Sequence, residues 1–257
     1  MKRAIFTLGI LIPQLVFSAP SVEDLAKIVA AQQASISSLR GDVKRYVQIL
    51  GDRLAYYNLD GKDGLENRSG VGPTVNRFQQ MGQASAFREG SCLLDNRGVE
   101  HNKRLNSGGS LSIVGWIKPQ KFSSGMIAAK HYTNSKRSWN VNMADGKLQF
   151  EIIGSDSNFV ILDTALPKDG KWHHFATVYD KGLGRMTTYI DGRESNSSTV
   201  GPITIMETNL PITIGCYLLN DDATAIRDHF VGDIDEISIF NRPLSSDQVT
   251  LLMNFDS

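Results

Sequence analysis

Asp235 is the residue whose type and setting most directly raise a question of chemistry. It lies in "FVGDIDEISIFNRPLSSDQV", residues 230 to 249. With strand alternation, Ile234, Glu236, Ser238 and Phe240 share one face, and Asp235, Ile237 and Ile239 the other. Ile237 and Ile239 have core character, so the alternation aims Asp235 at the same interior. A carboxylate there requires a partner, because burying it unpaired is very costly. His173 and His174 fall on opposite faces of one strand and cannot share a metal in regular geometry. His174 has the parity of Ala176 and Val178 and reads as a satisfied core histidine. No Ser-His-Asp order, nucleophile elbow or phosphate-cradling Gly-rich loop is present in the sequence.

Two stretches with loop composition carry side chains suited to binding. "KHYTNSKRSW" holds His131 and Tyr132, and "CYLLNDDATAIRDHF" holds Tyr217, Asp221, Asp222 and His229. An aromatic ring can stack on a sugar while neighbouring polar groups orient its hydroxyls. Loops are where binding residues concentrate, although the same composition suits an ordinary solvated loop. Trp116, Trp139 and Trp172 adjoin or lie within strand runs and read as core.

The elements that must position these residues change character near residue 51. Val22, Leu25, Val29, Gln32, Ile36, Leu39, Val43, Tyr46 and Leu50 alternate three and four apart. This is a heptad seam, with β-branched residues common at a and Leu recurring at d. It predicts a helix over 21–51, stopped by Gly51-Asp52. Four heptads of helix are marginal in water without a partner to cover the seam, so the spacing predicts a homo-oligomer through residues 22–50. Ile28, Val47 and Ile49 at e and g broaden the contact and allow a state above the dimer, while Gln32 and Tyr46 at d leave the number of chains open. The competing reading folds this helix back onto its own domain.

From Leu54 onward the period is two. "LAYYNL", "LSIVGWI", "MIAAK", "WNVNM", "KLQFEII", "FVILD", "HHFATVYD", "MTTYID", "PITIGC" and "IDEISIF" read as short strands between polar or Gly-rich connections. In "KLQFEII", Leu148, Phe150 and Ile152 point inward and Gln149 and Glu151 outward. "SLSIVGWI" is apolar on both faces, as a covered central strand requires. No regular helix pattern intervenes before Ser245 and Gln248, which read as a capping box opening a short helix. The expected fold class is all-β, an antiparallel two-sheet jelly-roll sandwich preceded by a coiled-coil-like helix.

Composition fits a folded protein, with 27 basic and 27 acidic residues. That balance lacks the basic face a nucleic-acid partner needs. The start, "MKRAIFTLGILIPQLVFSAPS", reads as a signal peptide over 1–18, with Lys2 and Arg3 before an apolar stretch and small residues. An uncleaved anchor is the minor reading, since Pro13 and Gln14 interrupt a run already short for a span. The expectation is a secreted, extracellular protein with no membrane span after cleavage. Outside the cell, the pair Cys92 and Cys216 suggests a disulfide contributing roughly 4–5 kcal/mol. Two buried thiols that never meet are the alternative. In a eukaryotic host, Asn67-Arg68-Ser69 and Asn196-Ser197-Ser198 are glycosylation sequons, the second in a polar stretch with turn composition.

Several strings, taken together and in order, resemble the laminin G-like domains. They are "LAYYNLDGKDGLENRSG", "GQASAFREGS", "LSIVGWIKP", "GKWHHFATVYD", "TTYIDGRE", "LPITIG" and "FVGDIDEISIFNRPLSSDQV". These domains belong with the concanavalin A-like lectins and glucanases and the pentraxins, and the resemblance covers about residues 54–255. It implies the same jelly roll. It also implies a structural Ca2+ held by Asp235, by Asn67 in place of an acidic residue, and by Asp60 in the preceding turn. Calcium wants six to eight oxygens, so loop carbonyls would complete the shell. Asn67 carries no charge, and a glycan on it would remove it from that shell. The other reading has Asp235 accepting backbone amides with no ion. Laminarinase-type members need an E-x-D-x-x-E strand, and "DIDEIS" has Asp233 at the first position and Ser238 at the last, so catalysis is not expected. The expected function is a noncatalytic module that binds glycans or extracellular proteins. A matrix or adhesion component without lectin activity is the alternative, and a glycoside hydrolase a lesser one.

Overall fold

The computed structural model describes residues 21–131, 136–219 and 226–255, and only the backbone of Ser69 and Phe255. The expected signal peptide 1–18, Tyr132, Asp221 and Asp222 lie outside the described residues. The chain divides at Lys44/Arg45 into two compact units.

Among its described residues the first unit is helical. Helix α1 (Val22–Gly51) runs through it and ends in the second unit. Ser21 caps it: its Oγ accepts the Asp24 N–H at 3.1 Å, while Asp24 Oδ2 accepts the Ser21 N–H at 3.1 Å. This is the reciprocal arrangement of a capping box, with Asp in place of Glu. The seam positions Leu25, Val29, Ile36, Leu39 and Val43 are all 47–57% exposed.

The second unit is a two-sheet antiparallel sandwich. Its strands are β1 (Arg53–Tyr57), β2 (Glu66–Ser69), β3 (Gly72–Val75), β4 (Met81–Phe87) and β5 (Cys92–Leu94), followed by helix α2 (Val99–Arg104). Then come β6 (Leu111–Pro119), β7 (Ser124–His131), β8 (Arg137–Ala144), β9 (Lys147–Ile153) and β10 (Phe159–Ala165). β11 (His173–Asp180), β12 (Arg185–Ile190) and β13 (Arg193–Thr199) follow, with β14 (Thr213–Ile214), β15 (Tyr217–Leu218), β16 (Ile226–Arg227), β17 (Gly232–Phe240) and helix α3 (Ser246–Phe255). One sheet has the order β13-β12-β11-β6-β17-β4-β3, with β1 also paired to β17; the other has the order β10-β9-β8-β7-β14-β5-β2. β6 lies between β11 and β17; Leu111, Ile113 and Ile117 enter the core between the sheets and Val114 packs into the outer cluster around α3, which explains its two apolar faces. α3 opens with the expected capping box, Ser245 N–H to Gln248 Oε1 at 3.1 Å and Gln248 N–H to Ser245 Oγ at 3.3 Å.

The inward faces interdigitate around Trp139, Phe150, Phe175, Tyr179, Phe230 and Ile237. A second apolar cluster covers the outer face of the eight-stranded sheet, where Phe240, Val114, Ala176 and Val178 meet Leu244, Val249 and Leu252 around α3. Ile49, in the last turn of α1, is buried in the same cluster, with Tyr46 and Leu50 packed beside it. The seam expected over 22–50 therefore ends as a free surface at Val43, because its last positions cover their own domain. Cys92 and Cys216 form the expected disulfide.

Three expectations are corrected. Strict alternation fails in β17: the register shifts between Asp235 and Ser238, with Glu236 at φ 52°. This bulge sends Ile234, Ile237 and Ile239 inward, and Asp235 lies across from Trp116 on the outer face instead of beside Ile237. His174 is fully buried, but it is not satisfied: neither ring nitrogen has a hydrogen-bond partner. It packs edge-on to Trp116 with centroids 5.2 Å apart, and Trp116 itself is only half-buried. A helical turn, α2, interrupts the strands where none was expected; its six residues are too few to display a period.

Glu236, 2% exposed at the bulge, receives Arg77 Nη1 at 3.0 Å, and the guanidinium lies 4.2 Å from the Trp116 ring centroid. Removing one partner of a buried ion pair deprives the other charge of a close counter-charge. Arg77→Leu is therefore expected to destabilise the domain by about 3–5 kcal/mol, measured by urea denaturation; a change under about 1 kcal/mol would contradict this account of the bulge.

Candidate functional site

The outer face of the seven-stranded sheet is polar where that of the eight-stranded sheet is covered. Because Trp139, Val141 and Met143 of β8 and Leu148, Phe150 and Ile152 of β9 point inward, their neighbours point out. β8 presents Asn140 and Asn142, β9 Gln149 and Glu151, and β10 Ile161 and Asp163. The pairing sets Asn140 opposite Glu151, Asn142 opposite Gln149, and Gln149 opposite Asp163.

These groups are ordered by one another. Asn140 Nδ2 donates to Glu151 Oε2 at 2.5 Å, and Asn142 Nδ2 to Gln149 Oε1 at 3.3 Å. Gln149 Nε2 donates to Asp163 Oδ1 at 2.8 Å, and Lys147 Nζ reaches Asp163 Oδ2 at 3.2 Å. The row from Asn142 to Asp163 crosses three strands, about 10 Å at ordinary strand spacing. Asn142, Gln149, Glu151 and Asp163 remain half-exposed, and Phe159 and Ile161 on the edge strand are 59% and 44% exposed. Fixed amide and carboxylate groups beside an exposed ring can hydrogen-bond hydroxyls and stack on an apolar sugar face.

At the other end of this face, two of the expected binding residues meet. His131 and Tyr217 pack edge-on with centroids 5.3 Å apart. Asn140 Nδ2 also lies 3.2 Å from His131 Nδ1. That nitrogen accepts, so the ring carries its proton on Nε2. Burial, reinforced by the Arg137 charge, lowers the His131 pKa to about 4. Burial also raises the Tyr217 phenol, helped by the Asp228 carboxylate. Tyr217 is held in place by its neighbour: Cys216 is bonded to Cys92, and its carbonyl accepts Thr213 Oγ1 at 2.7 Å. Gly215, at φ 80°, passes against the Phe87 ring, and a Cβ there would lie 2.2 Å from a ring carbon. Only glycine fits that turn.

The remaining sequence candidates are placed elsewhere. His229 is half-buried and donates through Nδ1 to the Ser91 carbonyl at 3.2 Å. Asn67 lies in β2 and Asn196 in β13, so both sequons are in strands. The polar stretch around Asn196 is an edge strand, not a turn, and Asn196 Nδ2 donates to the Asp163 carbonyl at 2.6 Å. Asp60 and Asn67 line a cavity of about 280 Å³ together with Asp63, Leu59 and Leu93, whereas Asp235 is on the outer face of the eight-stranded sheet.

The side chains that share this cavity do not fit the calcium shell implied by the resemblance. Both Asp63 oxygens accept backbone amides, from Asn58 at 3.0 Å and Leu59 at 2.5 Å. Asp60 accepts the Lys62 N–H at 2.9 Å and faces its ammonium at 3.5 Å. The Asn67 amide donates to the Val71 carbonyl at 2.9 Å. Among the described residues, no three His, Cys, Asp or Glu side chains converge as a metal site would require.

Sequence reasoning placed Gln149 and Glu151 outward but did not join them to Asn140, Asn142, Phe159 and Asp163. The available signal was three successive strand runs whose outward positions include Asn140, Asn142, Gln149, Glu151 and Asp163. Lone strands lack register, and register is what turns those positions into a row.

Residues 95–250 match the family model described as the concanavalin A-like lectin/glucanases superfamily. No curated protein matches the sequence. Among solved structures, the binding domain of Paraclostridial Mosquitocidal Protein 1 is similar with TM-score 0.56 and 18% identity, covering 76% of this chain and 48% of that one. The binding domain of botulinum neurotoxin DC is similar in two complexes. With rat synaptotagmin II the TM-score is 0.58 at 14% identity, covering 80% of this chain and 52% of that one. With SialylT the TM-score is 0.54 at 15% identity, covering 76% and 48%. The chain spans about half the length of these structures, and at such identities the likeness is one of fold.

Two measurements check the site. Folded His131 binds its proton only near pH 4, whereas the unfolded residue does so near 6.5. The unfolded state is thus favoured as pH falls through that window, and stability should fall with it. His131→Phe is expected to make the pH 4–6.5 dependence of Tm shallower, leaving the part due to buried His174; an unchanged slope would contradict a neutral His131. Separately, adding a calcium chelator is expected to leave Tm unchanged, and a clear fall would restore the calcium reading.

Proposed function

Because the chain belongs to the concanavalin A-like lectin/glucanase superfamily, we propose that it is a secreted, noncatalytic module that binds an extracellular glycan through the outer face of its seven-stranded sheet. The observation that carries this reading is the hydrogen-bonded row Asn142–Gln149–Asp163, half-exposed and bordered by Phe159 and Ile161. Amides and carboxylates already held by their neighbours need little reordering to receive hydroxyl groups, which lowers the entropic cost of binding. Phe159 offers the apolar surface that a sugar ring can cover.

Three further observations support the reading. The solved structures with this fold named above are binding domains, one in complex with SialylT and one with rat synaptotagmin II. "DIDEIS" lacks the carboxylate spacing of the glucanases, and Asp233 lies 3.7 Å from Lys118 Nζ, an ion-pair arrangement. A disulfide between Cys92 and Cys216 suits an oxidising compartment, as does the basic and then apolar start of the chain. No helix among the described residues is long and apolar enough to cross a membrane. The exposed heptad seam of α1 adds self-association, so several modules would act together.

A glycan array tests the reading. The wild type is expected to bind a defined set of glycans with or without a chelator. Phe159→Ala and Gln149→Ala should each weaken that binding by about 3–10-fold while leaving Tm unchanged, since both side chains are partly solvated. Silence across the array, with binding to an extracellular protein instead, would replace the glycan by a protein partner.

A further inference from the structure

We infer that residues 22–43 form a parallel, two-stranded coiled coil with a second copy of this chain. The inference rests on the proposal that α1 self-associates, and adds the number, direction and register of the strands.

The number follows from what the structure removes from the seam. In sequence, Ile28, Val47 and Ile49 widened the apolar stripe enough to admit three or more helices. Ile49 is 3% exposed inside its own domain, packed with Phe240, Val249 and Leu252. It is therefore not available to a partner. What remains up to Val43 is narrow. The a positions are Val22, Val29, Ile36 and Val43; the d positions are Leu25, Gln32 and Leu39. β-branched residues at a with Leu at d favour two parallel strands. The flanking e positions are Ala26, Gln33 and Arg40, and the g positions after Ile28 are Ser35 and Asp42, which leaves little apolar surface for a third helix. The helix surface also carries a shallow apolar dent lined by Ile28, Ala31, Gln32, Ser35 and Ile36. Gln32, Ser35 and Ile36 are members of the hole that receives an Ile36 knob in such a pair.

The direction follows from Gln32. In a parallel pair each d residue faces its own copy, so the two Gln32 carboxamides meet and each can donate to the other. In any antiparallel register a d residue faces an a residue, and Gln32 meets Val22, Val29, Ile36 or Val43. A buried amide against an aliphatic side chain has no partner and is disfavoured. The longest antiparallel overlap also sets Val22 against Tyr46, which packs against its own domain's apolar cluster. Parallel alignment needs none of the last turn.

The test uses the full chain with a single substitution, Leu25→Cys. Light scattering of the wild type is expected to give the mass of two chains. Mild oxidation of Leu25→Cys should give a covalent dimer, because the two copies of position 25 face each other only in the parallel register. Leu25 is 47% exposed, whereas Cys92 and Cys216 are fully buried in their own disulfide, so cross-linking reports on the new thiol. Gln32→Leu should raise the melting point of the assembly and lower the yield of the Leu25→Cys cross-link, since the residue that fixes direction is gone. A one-chain mass, a mass of three or more, or cross-linking that requires Leu25→Cys mixed with Val43→Cys would each overturn the inference. Ile36→Glu separates it from the glycan proposal. That variant should be monomeric with unchanged affinity for a soluble glycan, while retention on a glycan-coated surface falls by about 10²-fold or more. Loss of soluble-glycan binding by the wild type would instead sink the recognition proposal and leave the coil standing.

Discussion

The ion pair between Arg77 and Glu236 is the interaction on which the arrangement of the eight-stranded sheet depends. Every residue of β17 is buried, and the strand pairs with β1, β4 and β6. Its sequence places Ile234 out of step with Ile237 and Ile239, so a regular strand could not turn all three to the core. The bulge at Glu236 supplies the extra residue that brings them into phase. Its left-handed backbone costs roughly 1–2 kcal/mol for a residue with a Cβ, and its buried carboxylate calls for a counter-charge. Arg77, held between Glu236 and the Trp116 ring, answers the second cost. The same change of phase turns Phe240 outward, where it forms part of the seat for Ile49 and for α3. Core registry and the covered outer face thus come from one bulge.

The two outer faces then divide the work. One carries an apolar cluster covered by α3 and the last turn of α1. The other is polar from Asn140 to Asp163 and remains partly solvated. A covered face can tolerate His174 with no hydrogen-bond partner because burial, together with the Arg77 charge, keeps the ring neutral, with its pKa lowered to about 3. The open face has the reverse property: Asn142, Gln149 and Asp163 bond along the row and remain half-exposed to solvent. Buried Lys130, with two carbonyl partners at 2.6 and 2.9 Å and its pKa lowered to about 8, ties the β7 end of that sheet to Asn102 and Leu210. The disulfide at Cys216 holds Tyr217 over His131 at the same end. Rigid elements therefore flank the row, which favours recognition without large rearrangement.

Periodicity made the large features of this fold legible. The three-four spacing through Val43 marks a helix, and the two-residue period marks "KLQFEII" as a strand with Leu148, Phe150 and Ile152 inward; "HHFATVYD" is apolar on both faces, and its core face is that of Phe175 and Tyr179, not that of His174. The capping box at Ser245 and Gln248 located α3. Other features failed for physical reasons. A bulge inserts one residue and inverts parity beyond it, so alternation could not place Asp235 without knowing that Glu236 adopts φ 52°. "RESNSST" reads as a turn because its residues prefer turns, yet pairing with β12 makes it an edge strand. The loop aromatics were legible as binding candidates, but the amide row was not. Its members are spread over residues 140 to 163 and become neighbours only through cross-strand register.

A surface of this kind has a limit that bears on the whole chain. Half-exposed amides gain modest energy from each hydroxyl they bind, because water competes for the same groups. Preorganisation lowers the entropic cost but does not enlarge the contact. One Phe159 ring and one row of polar groups therefore suit weak, reversible recognition. Such a module gains most from being linked to others, where the second binding event is intramolecular. The apolar seam from Val22 to Val43 is exposed along the first unit, and the sandwich unit has its own core, with residues from Tyr46 onward in its outer cluster. If α1 pairs as proposed, a helix that ends in one domain's outer cluster and begins as an exposed apolar seam would let affinity be built by number.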